Sequence, residues 1–244
     1  MSLSITLATT RRILAQLKND HRTLAMLVGV PSLLMILLRY VFDQPVLFDR
    51  IGPMLLGLFP FLIMFIVTSV ATLRERTGGT LERLMTMPTG KLDLLLGYAL
   101  AFGLVTLVQV GVVLLISLTW LGLDLAGSLT SLVVVAVLDA LLGMALGLFA
   151  SAFARTEFQA VQFMPAFVLP QLLLCGLIVP RGDMASWLEA ISAVLPLTYA
   201  VEGMREISLH PSLTGDLAVD IAVIAGFTVV ALVLGAATLR RRTT

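Results

Sequence analysis

Thr89-Gly90-Lys91 has the closing residues of a phosphate-binding loop, in which backbone N–H groups and a lysine cradle phosphate oxygens. That device needs a first glycine five residues before Gly90, where this chain has Met85, and no apolar strand leads into it. Nucleotide binding by such a loop is therefore excluded. Metal chemistry fares no better, because His21 and His210 are expected at opposite faces of the molecule and read as polar interface residues. The single cysteine, Cys175, allows no intrachain disulfide or metal cluster and reads as a small apolar packing residue. The chain has no His-Glu-x-x-His helix, no Gly-x-Ser-x-Gly elbow and no carboxylate pair within one buried helix, so no catalytic residue and no cofactor site is expected on it.

One carboxylate stands out by its surroundings. Asp139 lies about ten residues, or roughly 15 Å, into a long apolar segment, near the centre of a bilayer. An aspartate there costs about 2.5 to 3.5 kcal/mol on insertion scales, so it should face protein and have a partner or be protonated. Gln109 and Thr106 of the preceding apolar segment fall at similar depth. A proton or cation site is one reading of Asp139, and an interhelical hydrogen bond is the other. Ala136, Ala140, Gly143, Gly147 and Ser151 mark the same segment as a close-packing helix, which favours the hydrogen bond.

The elements that hold these residues follow from composition. Of 244 residues, 59% are hydrophobic and 13% charged, and the mean hydropathy is +1.03. Such a chain is a polytopic helical membrane protein, because its apolar runs are long, unbroken and rich in Leu and Ala instead of alternating as a barrel requires. The expected fold is all-α. Six segments reach the roughly 20 residues needed to cross the hydrocarbon core: Thr23 to Phe42, Ile51 to Leu73, Leu92 to Leu118, Leu129 to Phe153, Gln159 to Val179 and Leu217 to Leu239. They read as one transmembrane domain, residues 1–244.

Placing the N-terminus, the second and fourth connections and the C-terminus on one side gathers twelve of the sixteen Lys and Arg residues there. Arg39, Arg50, Arg181 and Arg205 remain on the other. The positive-inside bias puts both termini in the cytoplasm, in agreement with an even number of crossings. The net charge of +1 only averages a basic inner and an acidic outer face, and no nucleic-acid partner is implied.

Leu3, Leu7, Leu14 and Leu17 recur at helical spacing away from Arg11, Lys18 and Arg22, which predicts an amphipathic helix over residues 1–22 in the inner interface and contact with membrane lipid. A cleavable signal peptide would have its charges first. The polar stretch from Arg74 to Lys91 interrupts the apolar sequence on the arginine-rich side. Within it Leu81, Leu84 and Met85 share one helical face, Glu82 and Arg83 point elsewhere, and Pro88 ends the turn. Beyond the fifth segment, residues 180–216 form a long connection that is not hydrophilic. Ser186-Trp-Leu-Glu189 has the form of a capping box, and a second short helix fits from Thr198 to Ser208. Gln159, Phe163, Phe167 and Gln171 recur every four residues along one helical face of the fifth segment, beside Pro165 and Pro170.

Two groups of residues carry a family resemblance. The first is Glu75 with Gly79-Thr80-Leu81-Glu82, Leu84, Pro88 and Gly97. The second is Gly176-Leu177-Ile178-Val179-Pro180, then Met184, Trp187-Leu188, Ile191-Ser192, Leu195-Pro196-Leu197-Thr198-Tyr199-Ala200 and Arg205. In this order and spacing the chain resembles the permease subunits of the second ABC-transporter type, in particular those similar to daunorubicin-resistance permeases. It departs from the family pattern at Tyr98, where lysine is common, and at Ala185, where proline is common.

The resemblance implies a half-transporter that pairs with a second permease copy or close homologue and with two ABC ATPase subunits, which would bind the ATP and magnesium. It implies that Glu75, Thr80, Leu81, Glu82, Leu84 and Met85 belong to a short coupling helix seated in a groove of the ATPase. Phe59, Met64 and Phe65 of the second segment and Phe163, Phe167 and Gln171 of the fifth would line the substrate path, although ordinary packing is the competing reading of each. Trp187, Leu195, Pro196, Tyr199 and Arg205 would belong to an outer gate of helices dipping into the outer leaflet. The implied activity is export of an amphipathic drug or lipid-like compound across the cytoplasmic membrane of a prokaryote. No fused solute-binding domain and no importer-type glutamate-alanine-alanine motif is visible. Polysaccharide or sodium export within the same family, an ion-coupled secondary transporter relying on Asp139, and a non-transporting scaffold are the alternatives. The chain shows no convincing internal repeat of the kind secondary transporters carry.

Overall fold

Long unbroken runs of Leu, Val, Ala and Gly satisfy their backbone in lipid as helices, since they lack the alternation of a closed barrel. A computed structural model describes residues 3–78 and 90–238, and there the regular structure is helical throughout. Nine α-helices occur among the described residues: α1 (Leu3–Asn19), α2 (His21–Phe42), α3 (Pro45–Thr77), α4 (Lys91–Thr119), α5 (Leu129–Ala150), α6 (Glu157–Leu174), α7 (Ser186–Ser192), α8 (Pro196–Leu209) and α9 (Gly215–Thr238). Five of them, α2, α3, α4, α5 and α9, are long and apolar enough to cross a membrane. The chain is an all-α polytopic membrane protein. The remaining expected crossing, α6, is not among the five; it has 18 residues and carries Glu157, Gln159, Gln162 and Gln171.

Two helices form the centre. In α3, 67% of the apolar span is buried within the chain, against 22% in α2 and 28% in α9, which places α3 inside and the other two at the periphery. Its partner is α5. Gly143 and Gly147 of α5 lie so close to α3 that a methyl on either would strike the carbonyl oxygens of Phe61 and Phe65, respectively. Small residues at four-residue spacing are what allow this approach. Around the pair, Met35, Phe48, Leu56, Phe61, Leu132 and Leu142 fill the core.

Polar contacts sort the helix ends onto two faces. On the face that holds the N-terminal helix and the end of α9, Arg76 Nη2 donates to Thr238 Oγ1 at 3.3 Å and the Thr10 hydroxyl donates to the Gly97 carbonyl at 3.2 Å. On the opposite face, Arg39 Nε donates to the Leu121 carbonyl at 3.0 Å, and the Asp124 N–H donates to Asp49 Oδ1 at 3.0 Å.

Three local expectations need correction. The fifth segment stops being helical at Leu174 and not at Val179, because Gly176 turns the chain at φ +86° in a conformation that ends a helix. Ser186 does not cap α7. Ala185 holds that position with extended backbone, leaving Glu189 one residue too far along for the reciprocal bond. The next helix begins two residues earlier than Thr198, with Pro196 in its first turn, where a missing N–H is harmless.

α1 also packs on protein, through a face led by its threonines. Leu3 and Leu7 are exposed, while Thr6, Thr9, Thr10 and Ile13 are buried. Those four recur at i, i+3, i+4 and i+7 and pack on α4, where a methyl on Gly97 would strike Thr9.

Candidate functional site

The base of α3 carries three consecutive side chains that a 100° step per residue fans in three directions. Arg74 meets Glu157 of α6 with two parallel bonds, Nε to Oε1 at 2.6 Å and Nη2 to Oε2 at 2.8 Å. Glu75 accepts from Arg12 of α1, Nη1 to Oε1 at 3.0 Å, and its other oxygen takes the Tyr98 hydroxyl of α4. Arg76 reaches Thr238 of α9. Just beyond lies the polar stretch in which Thr80, Leu81, Glu82, Leu84 and Met85 were expected to form a helix, and those residues lie outside the described ones.

Beside this base a groove of about 520 Å³ runs between α2 and α3, walled by Met26, Leu27 and Val30 on one side and Ile63, Val67 and Val70 on the other. Its polar lining is Asp20, Arg74 and Glu75 together with Gln16, Thr23 and Tyr98. Asp20 caps α2, accepting from the Thr23 hydroxyl at 2.6 Å and the Thr23 N–H at 3.1 Å, and these bonds hold its carboxyl below its ordinary value.

Midway through the bundle, Asp139 is completely buried, and among the described residues neither of its oxygens has a hydrogen-bond partner. Thr106 and Gln109 of α4 are just as buried and equally unpaired, so the expected interhelical bond is not formed. The cause is the face on which Asp139 sits. It shares a four-residue stripe with Gly143 and Gly147, which turns it toward α3, and the Gly143–Phe61 register sets it level with Gly57. No side chain from Pro53 to Leu58 can donate a hydrogen bond.

The opposite end is closed by the connection between α6 and α9. Arg181 holds it together, donating from Nε to Ser192 Oγ at 2.8 Å and from Nη1 to Glu202 Oε1 at 2.8 Å. The Thr198 hydroxyl donates to the Ser192 carbonyl at 2.8 Å and the Tyr199 hydroxyl to the Ala193 carbonyl at 2.7 Å, tying α8 to α7. Gln171 joins α6 to this layer: its amide nitrogen donates to the Phe167 carbonyl at 3.1 Å and its oxygen accepts the Leu197 N–H at 3.4 Å.

The sequence model of the family described as ABC-2 type transporter matches residues 4–209, from α1 through α8. The chain belongs to that family. Among its relatives, ABC transporter G family member 20 of Dictyostelium discoideum is 30% identical over 161 residues, which is 66% of this chain and 22% of that protein. The probable multidrug ABC transporter permease YbhR of Escherichia coli strain K12 is 29% identical over 157 residues, 64% of this chain and 43% of the relative. The linearmycin resistance permease protein LnrN of Bacillus subtilis strain 168 is 25% identical over 181 residues, 74% and 47%. The chain thus spans less than half the length of each of these three relatives.

The residues singled out in this chain from sequence are distributed unevenly. Met64 and Phe65 are fully buried in the chain's own core and Phe59 is 8% exposed, so these three face protein. Phe163 and Phe167 lie along α6 with ring centres 6.3 Å apart and planes tilted by 57°, and Phe167 is 48% exposed at the surface. Trp187 is exposed, Pro196 is buried at the start of α8, and Leu195, Tyr199 and Arg205 are half-buried. Sequence reasoning missed Arg12, Glu157, Arg181 and Glu202, whose partners stand 63, 83, 11 and 21 residues away. The threonine stripe of α1 was a readable sign that this helix packs on protein, and so that Arg12 comes near α3.

Proposed function

We propose that this chain is the membrane-spanning permease subunit of an ATP-driven exporter, working with a second permease copy or close homologue and two ABC ATPase subunits that bind ATP and magnesium. The observation that carries the reading is the family match over residues 4–209, which runs unbroken through the polar stretch after α3. Permeases of this family work with ABC ATPases. In this reading Thr80, Leu81, Glu82, Leu84 and Met85 engage the ATPase, and the contacts of Arg74, Glu75 and Arg76 pass its movement to the helices. Both termini face the cytoplasm of a prokaryote, and α6 is the sixth crossing, its glutamines and prolines turned toward protein or water.

The substrate class is an amphipathic drug or lipid-like compound. The apolar groove between α2 and α3 supports it, with charged residues in the same lining. The names of YbhR and LnrN, a probable multidrug permease and a linearmycin resistance permease, point the same way. On α6, Phe163 and Phe167 are the path residues this reading retains, and an exposed face that includes Phe158, Leu169 and Leu173 is available to a second copy.

The test is a pull-down. Leu84→Asp places a carboxylate where an apolar groove is expected, a defect of several kcal/mol if it is buried unpaired. The variant is expected to insert normally and to lose its ATPase on purification in detergent, together with transport and substrate-stimulated hydrolysis. Glu82→Gln is expected to be milder, because a rim charge pair is worth about 0 to 1 kcal/mol. Wild-type retention of the ATPase by Leu84→Asp overturns the coupling role.

A further inference from the structure

A cavity of about 360 Å³ lies between α8 and the first turns of α9, on the face opposite the termini. Its polar lining is Glu202, Arg205 and Glu206 from α8 and Asp216 and Asp220 from α9, four carboxylates against one guanidinium. Two of the carboxylates are already engaged. Glu202 is paired with Arg181 at 2.8 Å, and Glu206 with His210 Nδ1 at 3.0 Å and the Thr214 hydroxyl at 3.3 Å.

Asp220 is different. It is 6% exposed, it lines the cavity, and it takes part in no hydrogen bond or ion pair among the described residues. Its carboxylate rests over Gly203 of α8, where a methyl would come within 3.7 Å of Oδ2. Its carboxylate opens to the cavity, where a ligand can supply the partner that the protein does not. Arg205, at the same cavity, forms no ion pair among the described residues either, so in this lining Asp216 and Asp220 together outnumber the unpaired cation.

The shape of the site selects the cation. Among the described residues no three acidic, histidine or cysteine side chains converge closely enough to hold a metal ion. The carboxylates are instead spread around a space large enough for several heavy atoms. Leu209 and Val219, both more than half exposed, supply apolar wall beside them. We propose that the cavity between α8 and α9 binds an organic ammonium group, its N–H donors directed at Asp220 and Asp216 and its carbon chain against Leu209 and Val219. An ammonium ion with three donors fits separated carboxylates, and each charged hydrogen bond is stronger than a neutral one. The ammonium can come from a soluble amine or from the ethanolamine headgroup of a lipid.

The purified full chain in phosphatidylcholine nanodiscs, with no ATPase present, allows a calorimetric titration with hexylammonium, with hexanol and with calcium. Hexylammonium is expected to bind, and hexanol and calcium are not. Asp220→Asn, which keeps the size of the side chain, and Asp216→Asn, at an exposed position where folding is not at risk, are each expected to weaken hexylammonium about tenfold. Replacing part of the lipid by phosphatidylethanolamine separates the sources: loss of the hexylammonium signal identifies the headgroup as the ligand, and an unchanged signal identifies the soluble amine. No binding by the wild-type chain, equal binding of hexanol, tighter binding of calcium, or unchanged affinity in both variants overturns the proposal. The readout is independent of transport, so failure of the exporter reading and failure of this site are distinguishable.

Discussion

Asp139 is the residue whose outcome depends most on which neighbour it meets. Fully buried beside a stretch of α3 with no donor, its carboxyl has nothing to lose in hydrogen bonds when replaced by an amide of the same size. Asp139→Asn is therefore expected to leave the melting temperature unchanged or raised, within about 1 kcal/mol, and to keep transport, as measured by thermal unfolding of the purified chain and by efflux from vesicles. Loss of efflux in a normally assembled complex would point instead to an ion-coupled mechanism. Glu75 behaves in the opposite way, because two partners converge on it and its side chain is only 13% exposed. Glu75→Ala is expected to destabilise by about 2 kcal/mol, whereas Glu157→Ala, which breaks a pair on side chains 60% and 52% exposed, is expected to cost no more than about 1 kcal/mol. Sequence alone gave the position of Asp139 along its helix but could not give its azimuth. Gln109 lies at similar depth, and only the Gly143–Phe61 contact reveals that Asp139 is turned toward α3.

Among the elements, the α3–α5 pair should be the least tolerant of added volume. Gly147→Ala has to move either helix away from the Phe65 carbonyl, and it is expected to lower the melting temperature. Gly111→Ala on α4, where a methyl meets nothing within 4 Å, is expected to be neutral or stabilising by up to about 1 kcal/mol. Thermal scans of the two variants in one detergent give the comparison directly. The long apolar helices were legible because hydrophobic runs and their charged ends are local properties. The second segment, expected from Ile51 to Leu73, forms as Pro45–Thr77, and the fourth begins at Leu129 as expected. What was not legible depends on single backbone angles. The turn at Gly176 shortens α6, and the extended backbone at Ala185 takes the capping place from Ser186. The capping-box pattern is correct as a pattern and fails by one residue of register.

For the whole molecule, the two faces defined by polar contacts make a topological prediction. A reporter after Thr244 is expected to be cytoplasmic and one inserted near Asp124 external, because Asp124 belongs to the face away from the termini. A cytoplasmic signal at Asp124 would remove the six-crossing arrangement. The family assignment was already legible from the spacing of two motifs, since it depends on sequence order and not on which helices touch. The links between distant helices were not, because no local pattern announces that Arg76 will find a partner 162 residues away. Those links have a mechanical meaning. Arg74, Glu75 and Arg76 tie the foot of α3 to α6, to α1 and α4, and to α9. The foot of α3 is thus a hub to which four other helices are fastened. A displacement of that foot loads four helices at once, most firmly α1 and α4 through the Glu75 contacts, so the bundle should change shape in a concerted step.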